Sequence, residues 1–161
     1  VPDSRLRVHG VPAGAAADRI HARLERRGVP RPRVTLYGRM GILEYFAAIE
    51  DVDIALDSMP YNGATTTLDT LWMGVPVVAL RGTRAIGRGS CSILSAAGLT
   101  ELVAETPADY VEMNIRLARD STARVALRRS LRPQLQSSPL MDAVRFTRDL
   151  EALYRKMLDA R

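Results

Sequence analysis

From Leu6 to Ala104 the apolar residues switch repeatedly between two spacings, one that suits a strand and one that suits a helix. Residues 5–10 alternate as a short strand and stop at a Gly-Val-Pro-Ala-Gly loop. Residues 15–27 carry Ile20 and Leu24 on one face and stop at Gly28, which predicts a helix. Residues 33–38 read as a second strand. Residues 42–49 read as a helix with Ile42, Phe46 and Ile49 on one side, and residues 52–57 as a third strand. A helix is predicted over 65–73, closed by Gly74. Residues 75–80 are almost unbroken apolar sequence, the mark of a strand buried on both faces. A helix over 87–97 ends at Gly98, and 99–104 makes a short fifth strand.

Strands that alternate with helices pair in parallel through right-handed crossovers. The expected fold is therefore α/β: a Rossmann-like parallel sheet of about five strands with flanking helices. In such sheets ligands bind beyond the carboxyl ends of the strands, so function is sought in the loops that follow them. From Pro107 the pattern is helical only. Thr106 caps a helix to about Asp120, a second runs over 121–136, and a third over 142–158. The last has Val144, Leu150, Leu153, Tyr154 and Met157 as its buried stripe. The division expected is one domain over 1–161, with an α/β core over 1–105 and C-terminal helices over 106–161.

Composition supports a packed domain: 161 residues, 47% of them hydrophobic. A net charge of +5 raises nucleic acid as a partner. The basic residues are nearly all Arg, Lys156 being the only lysine, and they are interleaved with acids rather than with aromatic stacking platforms, so no nucleic acid is expected. Cys91 stands alone in a helical apolar pattern and reads as a small buried hydrophobe. With one Cys and two His, no metal site is expected. No apolar run reaches bilayer length and no signal peptide is visible, so the expectation is a cytoplasmic protein away from membranes. The missing initiator Met suggests a piece of something longer.

The chemistry lies between the third strand and the third helix. Asn62-Gly63 suits a turn with left-handed backbone angles, and Ala64-Thr65-Thr66-Thr67 opens a helix whose first amides lack internal partners. Those amides and the helix dipole favour an anion, with Thr65 and Thr66 as further donors and Asp69 suited to a ribose diol. The residues alone leave two readings open, ordinary helix capping and diphosphate binding. Elsewhere, Arg81 and Arg84 read as solvated loop residues and Asp53 and Asp57 as loop and turn residues. Arg124, Arg128, Arg129 and Arg132 read as a solvated face, and a lone His9 as structural.

Residues 55–78, with Tyr61-Asn62-Gly63-Ala64-Thr65-Thr66 and Asp69 at their centre, closely resemble the nucleotide-binding segment of the protein O-linked N-acetylglucosamine transferases and SPINDLY-like proteins, bacterial homologues included. The likeness runs on through Gly87-Arg88, through 98–104 and 138–142, and to Leu150, Glu151 and Tyr154. It implies the C-terminal half of a two-domain, GT-B-type glycosyltransferase. That half holds a UDP-sugar and transfers the sugar, N-acetylglucosamine by the resemblance, to Ser or Thr hydroxyls of a protein or peptide. Position by position, the resemblance places Thr65 and Thr66 at the phosphates and Asp69 at the ribose. Tyr61, Asn62, Gly63 and Ala64 fall near phosphates and sugar, Arg88 on a family arginine, and Met40 and Tyr45 on the uracil side. No cofactor or metal is implied beyond the donor. The partners implied are an N-terminal catalytic half carrying the general base, with helical repeats upstream. This sequence has Tyr45 where the family usually has His and Ile42 where it often has Lys, and animal members have His at the position of Ala64. The alternative is thus a truncated or decayed nucleotide-binding scaffold module, and this piece alone is expected to be inactive.

Overall fold

The structure, a computed structural model, describes residues 1–160. The backbone divides into two compact units, Val1–Ala48 and Ile49–Arg161. In the first, strand β1 (Leu6–His9) and strand β2 (Val34–Tyr37) pair in parallel, with Leu6 opposite Val34 and His9 opposite Tyr37. Helix α1 (Ala15–Glu25) makes the crossover. The His9 ring stacks on that of Tyr37 with centroids 4.9 Å apart. Burial, helped by Arg7, pushes the His9 imidazole below its ordinary pKa. Helix α2 (Ile42–Glu50) begins in this unit; of its expected apolar face Ile49 is buried and Phe46 half-buried, but Ile42 is exposed.

The second unit is built on a parallel sheet in the order β3 (Ala55–Leu56), β4 (Val77–Leu80), β5 (Val103–Ala104). Around it are α3 (Thr65–Trp72), α4 (Gly89–Ala96), α5 (Pro107–Arg119), α6 (Ser121–Ser137) and α7 (Ala143–Asp159). All the expected strands and helices are present among the described residues, and every pairing is parallel, but the strands form two sheets rather than one. Two strands are shorter than their apolar runs for local reasons. Pro76 has no N–H to give a ladder, so β4 starts at Val77 although Val75 and Pro76 are fully buried; the Pro76 carbonyl still accepts from the Ala55 amide. Thr100–Leu102 forms a 3₁₀ turn, which leaves β5 two residues. Leu71, Val78, Ala79, Leu94, Leu99 and Leu131 pack as the core, and Cys91 is buried with them as expected.

α3 ends in a Schellman motif, with the Gly74 amide bonded to the Leu71 carbonyl and the Val75 amide to that of Thr70. Gly74 has φ +77°, and a side chain there would also strike the Arg128 backbone. α5 starts from a complete capping box between Thr106 and Asp109.

Two expectations for the C-terminal helices fail. The arginines of α6 are not merely a solvated face. Arg124 donates to the carbonyls of Leu117 and Ala118, Arg128 to those of Glu50 and Val52, and Arg132 to that of Trp72. Spaced four residues apart, they reach the ends of α5, α2 and α3, where unsatisfied carbonyls collect negative charge. The stripe of α7 is not buried either. Val144, Leu153, Tyr154 and Met157 are exposed and Leu150 is half-buried. The periodicity identified the helix correctly, but no element among the described residues covers that face.

Candidate functional site at the start of helix α3

Residues 57–64 leave β3 and deliver the chain to α3, and residues 81–88 leave β4 and deliver it to α4. The two loops are bonded to each other at the carboxyl edge of the sheet. The Asn62 amide donates to the Ile86 carbonyl at 3.0 Å, and the Ser90 hydroxyl to the Gly63 carbonyl at 3.0 Å. A Cβ on Gly87 would stand 3.1 Å from the Pro60 carbonyl oxygen, so the contact is backbone on backbone.

Asp57 organises the first loop. It is 8% exposed, and its Oδ1 accepts the Gly63 amide at 2.9 Å. Its backbone carbonyl accepts the Tyr110 hydroxyl of α5 at 3.0 Å. Burial pushes the Asp57 carboxyl above the usual range, against the downward pull of the Gly63 amide and of the polar groups of Ser90, Ser58 and Asn62 nearby. Burial and the nearby Asp57 raise the Tyr110 phenol to about 12. The Ser58 hydroxyl donates to the Tyr61 carbonyl, and the Asn62 side-chain amide to the Ser58 carbonyl.

The expected left-handed turn at Asn62-Gly63 is absent, because neither residue has positive φ. Gly63 is required for space instead: a Cβ there would lie 2.6 Å from Thr67 Oγ1 and 2.7 Å from Thr66 Oγ1. Both its amide and its carbonyl are already bonded, to Asp57 and Ser90. Asn62 is 3% exposed, with its side chain turned into the loop. What Asn62 and Gly63 supply is the loop's shape.

α3 itself has two unlike sides. Thr67, Thr70 and Leu71 are buried. Thr65 and Thr66 are exposed and Asp69 is half-buried one turn further on, at the i+4 and i+3 positions that share a helix face. The N-cap residue is Ala64, whose methyl group cannot accept a hydrogen bond. The amides of Thr65, Thr66 and Thr67 accordingly have no acceptor among the described residues. Ordinary side-chain capping, one of the two readings the residues left open, is not what this helix start does. Tyr61 is 65% exposed beside it.

The other named residues divide. Arg88 is exposed, but its Nε donates to the Gly82 carbonyl at 2.9 Å, so the guanidinium folds back along its own loop. Arg81 pairs with Glu105 at 2.8 Å. Met40 and Tyr45 are half-buried residues of the first unit, where the Tyr45 ring packs at 5.3 Å against Phe46. Asp53 is exposed and faces Arg124 at 3.8 Å. Ser90 and Tyr110 were not legible as site residues: they lie 27 and 47 positions from Gly63, and only the fold brings them to this loop. Asp57 carried one signal, an acid at the carboxyl end of a strand. No group of acidic, His or Cys side chains among the described residues is arranged to hold a metal ion, and no helix there is long and apolar enough to cross a membrane.

Comparison with known proteins gives this geometry a family setting. The model of glycosyl transferase family 41 matches residues 1–150. Over 160 residues, 98% of the chain, the sequence is 40% identical to the "Probable UDP-N-acetylglucosamine--peptide N-acetylglucosaminyltransferase SPINDLY" of Petunia hybrida, of which it covers 17%. It is 31% identical over 131 residues to the UDP-N-acetylglucosamine--peptide N-acetylglucosaminyltransferase of Caenorhabditis elegans, covering 81% of this chain and 11% of that one. The structure is similar to a mutant O-GlcNAc transferase of Thermobaculum terrenum with a TM-score of 0.90 at 41% identity, over 97% of this chain and 30% of that one. The chain thus spans about a sixth of the plant relative's length.

Proposed function

The chain belongs to glycosyl transferase family 41, and from that premise we propose that it is the UDP-sugar-binding half of a protein O-glycosyltransferase. The observation that carries this is the start of α3: three amides without acceptors, two exposed Thr hydroxyls and a carboxylate one turn on, all at one end of one helix. The amides of Thr65, Thr66 and Thr67 and the hydroxyls of Thr65 and Thr66 hold the diphosphate, and Asp69 accepts from the ribose hydroxyls. Gly63 and Ala64 let the phosphates approach, Asn62 keeps the loop in shape, and Tyr61 stands beside the sugar. Met40 and Tyr45 serve the uracil, an assignment that rests on the resemblance alone. Arg88 serves through its loop, since its guanidinium is engaged with Gly82.

The relatives' names give the donor as UDP-N-acetylglucosamine and the acceptor as a peptide. In the transfer, an acceptor hydroxyl oxygen bonds to the anomeric carbon while that carbon's bond to the diphosphate breaks. UDP leaves with the electron pair, and the hydroxyl proton passes to a base supplied by another part of the full protein. Donors fixed at the start of α3 stabilise the charge that grows on the leaving diphosphate, without a metal. The exposed stripe of α7 suits a chain accompanied by further protein, a reading that the greater length of the relatives supports. Tyr45 and Ile42, where the family usually has His and Lys, favour the second reading, a nucleotide-binding module without turnover.

Calorimetry of the full-length protein with UDP tests the site. Binding is expected to weaken at least about tenfold in Thr66→Ala and in Asp69→Ala. Absence of heat at millimolar UDP in the unaltered protein would sink the proposal. UDP binding without sugar transfer would select the second reading.

A further inference from the structure

Asp57 is a buried acid with an incomplete set of partners, beside a helix start read as an anion site. A carboxylate removed from water is costly unless its oxygens are satisfied. Here Oδ1 takes the Gly63 amide, while Oδ2 is buried with no hydrogen-bond partner among the described residues. Negative charge at this place also works against a bound diphosphate. An apolar residue would fill the space at the end of β3 without either penalty, so the acid needs a reason that packing does not supply.

The hydrogen bonds supply it. Asp57 holds the Gly63 amide. The Gly63 carbonyl takes the Ser90 hydroxyl proton at 3.0 Å, so in the 2.8 Å contact between Ser90 and Thr67 it is Thr67 that donates. Thr67 is the third residue of α3. A continuous path therefore runs from the end of β3 through Gly63 and Ser90 into the first turn of α3. From the other side, Tyr110 fixes the Asp57 carbonyl. Gly63 stands two residues before the first amide of the proposed site, so close to the Thr66 hydroxyl that a Cβ there would lie 2.7 Å from it.

Resting on the diphosphate reading of α3, we infer that Asp57 is a positioning residue of the nucleotide site: through Gly63 and Ser90 it holds the loop so that the α3 amides and the Thr66 hydroxyl face the diphosphate. What matters is the acceptor oxygen, not the charge. This separates two variants. Asp57→Asn keeps an acceptor for the Gly63 amide and removes the charge, whereas Asp57→Ala removes both.

The test measures UDP affinity by calorimetry on the full-length protein, at a temperature where each variant is folded, with the melting temperature taken in parallel. Leu135→Ala, a core change in α6 away from this loop, serves as the control for lost stability. Asp57→Ala is expected to weaken UDP binding about tenfold or more, Asp57→Asn to bind at least as tightly as the unaltered protein, and Leu135→Ala to bind normally despite a lower melting temperature. Normal binding by Asp57→Ala, or an equal loss in Asp57→Asn, overturns the inference. If Asp57→Ala does not fold, Ser90→Ala opens the same path at the next link, and its binding at full strength overturns the inference equally. Thr66→Ala separates the two layers. A loss there with none at Asp57 defeats only the positioning role, while no UDP binding by the unaltered protein defeats the diphosphate reading and this inference with it.

Discussion

A methyl group on Gly82 would meet the Gly87 carbonyl oxygen at 2.8 Å and the Gly87 Cα at 3.0 Å, both backbone atoms that cannot rotate away. One on Gly41 would find only the tip of the Glu44 side chain, at 4.0 Å. Both glycines precede a helix in a loop at the carboxyl side of the strands, and the sequence does not tell them apart. Gly82→Ala is expected to lose about 1–3 kcal/mol of stability, read as a drop in melting temperature of several degrees, and Gly41→Ala to stay within about 0.5 kcal/mol of the parent. At this scale the sequence was informative about Thr65, Thr66 and Asp69, whose place on one face follows from helical spacing. It misled about Gly63, read as a conformational residue but required for clearance from two Thr hydroxyls, and about Asp57, read as a turn residue but found buried. Local patterns report backbone preference. They carry no information on what another segment brings within 3 Å.

The same division appears at the level of elements. Helices and strands fall where the periodicity and the glycine stops place them, because those signals are local. Strand length is set by partners, which is why β3 and β5 are two-residue strands inside longer apolar runs. The arginines of α6 are the clearest case. Their spacing was visible, but the purpose of Arg128 and Arg132 depends on carbonyls 60 to 78 positions away. Arg132 donates to the Trp72 carbonyl at 2.6 Å, and its guanidinium lies 5.3 Å from the Trp72 ring centre. Arg132→Ala is expected to destabilise the protein by about 1–2 kcal/mol and Arg129→Ala by less than about 0.5, as measured by urea unfolding. Equal effects of the two changes would show that the helix-end contact contributes nothing.

At the scale of the molecule, α7 poses the remaining problem. It has a well-separated apolar face, yet Phe146, Leu153, Tyr154 and Met157 on that face are all exposed. A contiguous patch of this kind on a protein in water marks a surface that something else covers. Under the proposed function that cover is the rest of the polypeptide, the plant relative being about six times as long as this chain. That account makes opposite predictions for the piece and the whole. In the isolated chain, Leu153→Gln with Met157→Gln is expected to reduce self-association in sedimentation and the binding of an apolar dye, with little loss of stability. In the full-length protein the same pair is expected to lower the melting temperature, because two side chains of this size are worth about 3–6 kcal/mol when fully buried. An unchanged melting temperature of the full-length protein would mean that the stripe stays open there too. The same result would remove α7 as support for an accompanying half, and leave the case for the transferase resting on the start of α3 and on the family.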